Sequence, residues 1–197
     1  MLRTDNRGMS EPAPMLQMPD GWQADVQALA DALLARRLTL AAAESCTGGL
    51  IAAACTALAG SSHWFERGFV TYSNDAKVEL LGVAQELLQA HGAVSEEVAR
   101  AMAQGALVRS RANIALAVTG IAGPGGAVPG KPVGTVWLAW SVRPAAAADP
   151  AAGLKPDLAT APLTGAQRLQ LDGDRSHVRS LTVQCALRQA LVLARSA

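Results

Sequence analysis

The sequence predicts an α/β fold, a single-domain layered sheet with helices packed on it. Residues 38–43 and 114–119 are uncharged and mostly apolar, as is typical of strands buried on both faces. Segments with apolar residues at helical spacing alternate with these strands along the chain. The chain has 197 residues, of which 50% are hydrophobic, and this is enough for one such domain, which we place at residues 20–197.

The first predicted elements are an N-terminal extension, a helix and a strand. Residues 1–19 carry no apolar segment of the kind found in a signal peptide, and we interpret them as a disordered extension. Asp20 is a good N-cap for a helix that we expect to end near Arg37, with apolar residues at helical spacing: Trp22, Val26, Leu29 and Leu33. The strand 38–43 follows, and an alanine-rich helix begins at Leu50.

The middle of the chain contains a second strand and two further helices. After a break rich in glycine and serine, the β-forming residues 68–72 predict a strand. Ser73 or Asn74 can cap a short helix that Gly82 ends. Ser95, which is followed by two glutamates, predicts the start of another helix.

The C-terminal part begins with the strand 114–119 and a glycine-rich loop at residues 120–126. Another strand is predicted over residues 133–142. Residues 143–162 are rich in alanine and proline with little periodicity, and we interpret them as a loop insertion. A last strand near residues 169–171 precedes the final helix. The pattern does not specify the order of the strands in the sheet.

Composition excludes several classes of function. The 17 Lys and Arg residues are scattered and nearly balance the 16 Asp and Glu residues, so we expect no direct binding to nucleic acid. No apolar run approaches the roughly 20 residues of a membrane span. The odd set of three cysteines fits reduced thiols and a cytoplasmic location. No His, Cys or acidic cluster has metal-ligand spacing, so we expect no metal.

The most informative segment is residues 43–49, where the first strand gives way to a helix. A serine at such a junction, here Ser45, can be a nucleophile. Gly48 and Gly49 fall at the predicted helix start, where unpaired N–H groups and the helix dipole would stabilise an oxyanion or phosphate. The alternative is that Ser45 or Thr47 merely caps the helix.

Taken together, the motifs resemble the C-terminal domain family of the competence-damage protein CinA. The matching runs occur in the family's order at residues 43–49, 60–62, 64–74, 77, 118–124, 131–136 and 173–175. The resemblance implies a nicotinamide-nucleotide amidohydrolase that converts nicotinamide mononucleotide to nicotinate mononucleotide and ammonia without a cofactor. It also implies a homodimer. Many relatives carry a separate N-terminal molybdopterin-binding-like domain, which we expect to be absent here together with any pyrophosphatase activity.

By matching position, the resemblance implies that Ser45 is the nucleophile and that Tyr72 and Lys77 activate it. Serine is a weak nucleophile towards an amide, so a base must take its proton. Lys77 can do so only if it is largely neutral, through burial or the positive helix start at Gly48. The alternatives are an exposed helix lysine and a strand-end tyrosine. Cys46 is a rival nucleophile, ranked lower because the residue after a nucleophile usually serves through its N–H.

The remaining candidates bind substrate. Backbone N–H groups of Cys46, Thr47, Gly48 and Gly49 are expected to hold the oxyanion. The start of the glycine loop can approach a ribose or phosphate closely, although a plain turn is the alternative, and the residues concerned are Gly120, Ile121, Ala122 and Gly123. Arg175 can bind the substrate phosphate or form a surface salt bridge.

Two features depart from the family pattern. Val128 stands where relatives commonly have Thr or Ser after the glycine loop, which removes one potential hydroxyl contact to substrate. The loop 143–162 is longer than usual in the family. Both departures affect the expected substrate contacts and leave the proposed catalytic residues unchanged.

Overall fold

The computed structural model describes residues 21–144 and 162–197. The predicted extension at residues 1–19 lies outside the described residues, as does nearly all of the predicted loop insertion at 143–162. The elements in chain order are α1 Trp22–Arg36, β1 Leu40–Glu44, α2 Leu50–Thr56, a 3-10 turn at Ser61–His63, β2 Phe65–Val70, α3 Asn74–Leu81, α4 Gln85–His91, α5 Glu96–Val108, β3 Ile114–Gly120, β4 Thr135–Val142, β5 Leu163–Gln170 and α6 Arg175–Ser196.

The five strands form one sheet in the order β2-β1-β3-β4-β5. β1 pairs in parallel with both β2 and β3, whereas β4 and β5 each pair antiparallel to the preceding strand. The carboxyl ends of β1, β2 and β3 therefore lie at the same edge of the sheet. The predicted α/β layered sheet is confirmed.

Helices cover both faces of this sheet and create two hydrophobic cores. In β1, Leu40 and Ala42 face the core formed with α1, α2 and α6, while Ala41 and Ala43 face the core formed with α3, α4 and α5. β3 alternates in the same way, with its larger side chains on the first face. Burial of both faces explains why these two strands read as uncharged runs in the sequence.

Three helix starts follow the local sequence closely. The Ser73 hydroxyl accepts a hydrogen bond from the N–H of Ala76 at 3.0 Å, and Ser95 and Asp174 cap α5 and α6 in the same manner. Gly82 ends α3 in the left-handed conformation. These capping residues could be predicted from the sequence because a cap and its helix are neighbours in the chain.

Other boundaries differ from the prediction. β2 begins at Phe65 rather than residue 68 and ends at Val70, so Tyr72 lies in the loop that follows it. β5 covers Leu163–Gln170, which is longer than the predicted residues 169–171 and begins directly after the predicted loop insertion. The helix Gln85–His91 was not predicted. β2 and β5 are the two edges of the sheet, where one-sided burial and interspersed charges weaken the sequence pattern.

No helix within the described ranges is long and apolar enough to cross a membrane.

Candidate active site

A pocket of about 200 Å³ opens where β1, β2 and β3 end. Ligands in open α/β sheets bind at this carboxyl edge of the parallel strands. Seven of the predicted site residues line the pocket, namely Ser45, Cys46, Tyr72, Lys77, Gly120, Ala122 and Arg175. Asn74, Ala93, Val94 and Thr119 line it as well and were not predicted. The fold thus brings together residues that are up to 130 positions apart in the chain.

Lys77 lies inside the protein with its amine against Ser45. The side chain leaves α3 and is only 1% exposed. Its Nζ atom lies 3.2 Å from Ser45 Oγ and also donates to the carbonyl oxygens of Thr71 at 3.0 Å and Ser73 at 3.4 Å. The alternative of an exposed helix lysine is therefore wrong.

The surroundings of Lys77 favour the neutral amine. Burial lowers the pKa of Lys77, because an ammonium ion loses its hydration there. A neutral amine has two hydrogens and one lone pair. The carbonyls of Thr71 and Ser73 can accept the two hydrogens, which leaves the lone pair for the Ser45 hydroxyl. The expected contribution of the helix start at Gly48 is not needed, since burial is the main cause of the shift.

Glu44, the last residue of β1, caps the start of α2. Its carboxylate is fully buried. Oε2 accepts hydrogen bonds from the Thr47 hydroxyl at 2.7 Å and from the N–H groups of Gly49 and Ile51, each at 3.0 Å, and Oε1 accepts from the N–H of Ala52 at 2.9 Å. Because Glu44 is the cap, neither Ser45 nor Thr47 has that role. The Ser45 hydroxyl faces the pocket. In the sequence, the signal for this capping role was an isolated charged residue at the end of an apolar strand.

These bonds change the expected set of oxyanion donors. The N–H of Gly49 is bound to Glu44, and the N–H of Gly48 donates to the Ser45 carbonyl at 3.1 Å. Neither amide is free for a ligand, so the expectation for these two glycines is corrected. Within the described residues, the N–H groups of Cys46 and Thr47 donate to no backbone carbonyl, and both lie close to the Cys46 sulfur. They remain candidates for holding an oxyanion.

Arg175 connects the start of α6 to Tyr72 and the glycine loop. Its Nη2 donates to the Tyr72 hydroxyl at 2.9 Å and its Nη1 to the Gly123 carbonyl at 3.0 Å. Tyr72 is 60% exposed and, in the part of the chain described, its hydroxyl forms no hydrogen bond with Lys77 or Ser45. The structure thus places the Tyr72 hydroxyl beside Arg175 and not within hydrogen-bond distance of Lys77. Arg175 forms no ion pair within the described ranges.

The glycine loop contributes to the pocket only in part. Gly120 ends β3, and a Cβ there would lie 2.8 Å from the Thr135 carbonyl, so a larger residue would separate β3 from β4. Ile121 pairs through its N–H with Thr135 and through its carbonyl with Gly134, as a connecting turn would. Ile121 and Gly123 do not line the pocket, although Gly123 holds Arg175.

The sequence is similar to known proteins over most of its length. A model of the CinA C-terminal domain matches residues 23–151. The chain belongs to the CinA C-terminal domain family. A putative competence-damage inducible protein of Symbiobacterium thermophilum is 54% identical over 162 residues, which cover 82% of this chain and 36% of that protein. This CinA domain thus spans about a third of the length of that relative.

Some relatives of the CinA domain have an enzymatic name. Nicotinamide-nucleotide amidohydrolase PncC of Escherichia coli K12 is 58% identical over 110 residues, covering 56% of this chain and 67% of that protein. Among solved structures, the competence/damage inducible protein CihA from Agrobacterium tumefaciens has a TM-score of 0.79 at 42% identity, covering 91% of this chain and 99% of that one. The CinA superfamily protein ECK1530/EC0983 from Escherichia coli has a TM-score of 0.76 at 36% identity, covering 91% and 94%.

The CinA domain places Val128 away from the pocket. Val128 is exposed on a surface turn, where its backbone pairs with Lys131 in both directions at 3.1 and 2.9 Å. It does not line the pocket. No group of three or more His, Cys, Asp or Glu side chains that could hold a metal ion occurs within the described ranges.

Cys46 lies beside Ser45 but is poorly suited to act as the nucleophile. Burial, with a smaller contribution from the nearby Glu44 charge, raises the pKa of its thiol to about 12. The reactive thiolate is therefore scarce near neutral pH.

We expect Cys46→Ala to keep most of the catalytic activity and native Cys46 to resist iodoacetamide at pH 7.5. Mass spectrometry checks the labelling, with the denatured protein as the positive control. Rapid native labelling together with inactive Cys46→Ala would contradict this assignment.

Loss of the Glu44 carboxylate should destabilise the domain strongly. In Glu44→Ala, four buried or partly buried donors lose their acceptor at once. We expect the free energy of unfolding to fall by about 3 kcal/mol or more, measured by urea denaturation. Glu79→Ala is the control, because Glu79 is exposed on α3 and should change stability by less than about 0.5 kcal/mol. Equal stability of the two variants would show that the carboxylate is not the cap.

Proposed function

We propose that this protein is a nicotinamide-nucleotide amidohydrolase that hydrolyses nicotinamide mononucleotide to nicotinate mononucleotide and ammonia. The observation that carries the proposal is the buried amine of Lys77 at 3.2 Å from the Ser45 hydroxyl in an open pocket. A serine next to a desolvated lysine is an activated nucleophile suited to acyl transfer. The similarity to Escherichia coli PncC supports the choice of substrate.

The reaction begins with attack by Ser45. Its Oγ forms a bond to the carboxamide carbon while its proton passes to Lys77 Nζ, which becomes an ammonium ion still bound to the carbonyls of Thr71 and Ser73. The carbonyl oxygen of the substrate becomes an oxyanion. The N–H groups of Cys46 and Thr47 are the donors that we assign to it.

Collapse of the tetrahedral intermediate breaks the carbon–nitrogen bond. The Lys77 ammonium gives its proton to the departing nitrogen, which leaves as ammonia and returns Lys77 to the neutral form. An ester between Ser45 and the nicotinoyl group remains. The neutral Lys77 then takes a proton from a water molecule as its oxygen attacks the ester, and it returns that proton to Ser45 Oγ as the ester bond breaks. The acid product loses its proton to solvent and leaves as the carboxylate. One base thus serves both halves of the reaction.

Arg175 is the residue that we assign to the substrate phosphate. It lines the pocket and is not neutralised by a carboxylate of the described residues. A guanidinium forms two parallel hydrogen bonds to a phosphate, and two of its nitrogens are already held in place by Gly123 and Tyr72. Ser45 and Arg175 line the same pocket, and we assign the carboxamide to Ser45 and the phosphate to Arg175.

The proposed function is tested by measuring ammonia release from three amides side by side. We expect nicotinamide mononucleotide to be hydrolysed much faster than free nicotinamide, which lacks the phosphate, and faster than NAD, whose second nucleotide must fit the same pocket. Equal rates for nicotinamide and its mononucleotide would argue for a broader pyridine amidase. No ammonia from any of the three, from folded protein, would support a binding protein without catalytic activity.

We further propose that the protein acts as a cytoplasmic homodimer on this small-molecule nucleotide. The dimer rests on the family resemblance. The cytoplasmic location is supported by the three free cysteines, two of which are buried. Light scattering after gel filtration measures the assembly state.

A further inference from the structure

Arg179 contacts the turn that carries the nucleophile from behind the pocket. It lies on α6 one helical turn after Arg175 and is half-buried. Its Nη2 donates a hydrogen bond to the carbonyl oxygen of Thr47 at 2.8 Å. Arg179 does not line the pocket, in contrast to Arg175, so it has no direct route to a bound substrate.

Thr47 is fully buried and is held from two directions. Its hydroxyl donates to Glu44, and its carbonyl accepts from Arg179 at 2.8 Å and, over a longer distance, from the N–H of Leu50 at 3.4 Å. The following amide, the N–H of Gly48, is bound to the Ser45 carbonyl. These contacts fix the path of the turn at residues 45–48. The two N–H groups that we assign to the oxyanion, those of Cys46 and Thr47, belong to this turn.

The charged guanidinium group of Arg179 lowers the stability of the fold at its position. Within the described ranges, Arg179 lies near no carboxylate at ion-pair distance, and its buried Nε has no hydrogen-bond partner. Arg188 on the same helix is paired with Asp25 at 3.1 Å. A half-buried charge without a counterion and an unpaired N–H both lower stability. Such a local cost is typical of a residue retained for function.

We propose that Arg179 is a positioning residue that holds the turn at residues 45–48 in the geometry needed for attack and for oxyanion binding. The part of this inference that concerns substrate rests on the proposed function. Hydrogen-bond donors stabilise a transition state only when they are already aimed at the developing charge. Without Arg179, the Thr47 carbonyl keeps only the long hydrogen bond from the Leu50 N–H, so that the turn can shift and the Thr47 N–H can leave that direction.

The first test compares steady-state kinetics of Arg179 variants with nicotinamide mononucleotide. Arg179→Ala is expected to lower kcat about hundredfold, the loss that a small misplacement of catalytic groups can cause, with little change in KM. Arg179→Lys, which keeps one donor, should recover part of kcat. Arg188→Ala on the same helix is the matched control and should keep the wild-type kcat. Unchanged kcat in Arg179→Ala, or a rise in KM alone, would overturn the proposal.

The second test separates positioning from folding and from the choice of substrate. A fluorophosphonate reacts with an activated serine, forming an Oγ–phosphorus bond and releasing fluoride, so its rate at Ser45 does not depend on nicotinamide mononucleotide. We expect this rate to fall in Arg179→Ala in parallel with kcat. If the labelling rate at Ser45 falls in Arg179→Ala while the wild-type protein does not hydrolyse nicotinamide mononucleotide, the proposed substrate is wrong. The positioning role of Arg179 then still holds. A wild type inert to both reagents would overturn both proposals.

If Arg179→Ala does not fold, Arg179→Lys and Arg179→Met replace it. Both keep an aliphatic stem, but only lysine can donate to the Thr47 carbonyl. With similar melting temperatures, the lysine variant should have at least a roughly tenfold higher kcat and labelling rate, which is the size expected for one oriented donor. Equal rates in the two folded variants would show that Arg179 has a packing role only.

Discussion

Ser45→Ala is expected to abolish ammonia release from nicotinamide mononucleotide, with a loss in kcat on the order of 10⁴-fold or more. Removing the nucleophile leaves the base and the oxyanion donors with no group to form the ester. The fold should persist, because the Ser45 backbone N–H still donates to the Val118 carbonyl at 3.0 Å and only one hydroxyl is lost. Circular dichroism and coupled detection of ammonia are the two measurements.

Cys46→Ala serves as the matched control for Ser45→Ala, since the two side chains are adjacent and line the same pocket. The control removes the sulfur and keeps the backbone N–H that we assign to the oxyanion. Near wild-type kcat in folded Ser45→Ala would move the nucleophile to another residue. A double variant of Ser45 and Cys46 would then show whether the thiol substitutes for the hydroxyl.

Lys77→Arg is expected to be nearly as inactive as Lys77→Met, with a loss in kcat of about 10²- to 10⁴-fold for either. Arginine keeps the positive charge but cannot release its proton in a protein, so it cannot accept the proton of Ser45. The comparison therefore separates a base from an electrostatic contact. Kinetics with nicotinamide mononucleotide and circular dichroism on each variant provide the result.

The control for the lysine variants is Tyr72→Phe. Its hydroxyl is bonded to Arg175 and not to Lys77, so we expect this variant to raise KM more than it lowers kcat. Substantial turnover by folded Lys77→Arg would show that Lys77 only binds or orients substrate. A loss of kcat in Tyr72→Phe as large as that of the lysine variants would restore a direct role for the tyrosine in activation.

The pH dependence follows from the lowered pKa of Lys77. The rate should rise with pH as the ammonium loses its proton, with an apparent pKa below the roughly 10.4 of an unperturbed lysine. Stability should rise over the window between the pKa values of the folded and the unfolded protein, because the unfolded chain binds more protons there. Lys77→Met should lack this part of the pH dependence of stability, as measured by denaturation at several pH values.

The sequence predicted the parts of the fold whose signal is local or repeated. β1 and β3 are buried on both faces, so their apolar runs indicated strands directly. The caps at Ser73 and Ser95 lie within three residues of the amides they bind. The edge strand β2 was misplaced by three residues, because Glu66 and Arg67 interrupt its apolar pattern at the open side of the sheet.

The motif at residues 43–49 led to Ser45 and, through the family resemblance, to Lys77. The sequence alone determined which residue types stand at the ends of the strands, and hence the class of chemistry that they can perform. It did not determine that Lys77 is buried, since a lysine on a short polar helix is usually exposed. Burial depends on how α3 packs against the sheet, and that burial lowers the pKa of the amine.

Only the tertiary structure decided which backbone groups remain available around Ser45. Glu44 takes the amide of Gly49, and the Gly48 amide turns back to the Ser45 carbonyl, so the glycines that the motif suggested as oxyanion donors are already paired. Arg179 reaches the same turn from 132 positions away in the chain. Contacts of this kind leave no periodic trace in the sequence, because they depend on distances that arise when α6 packs against β3 and α2.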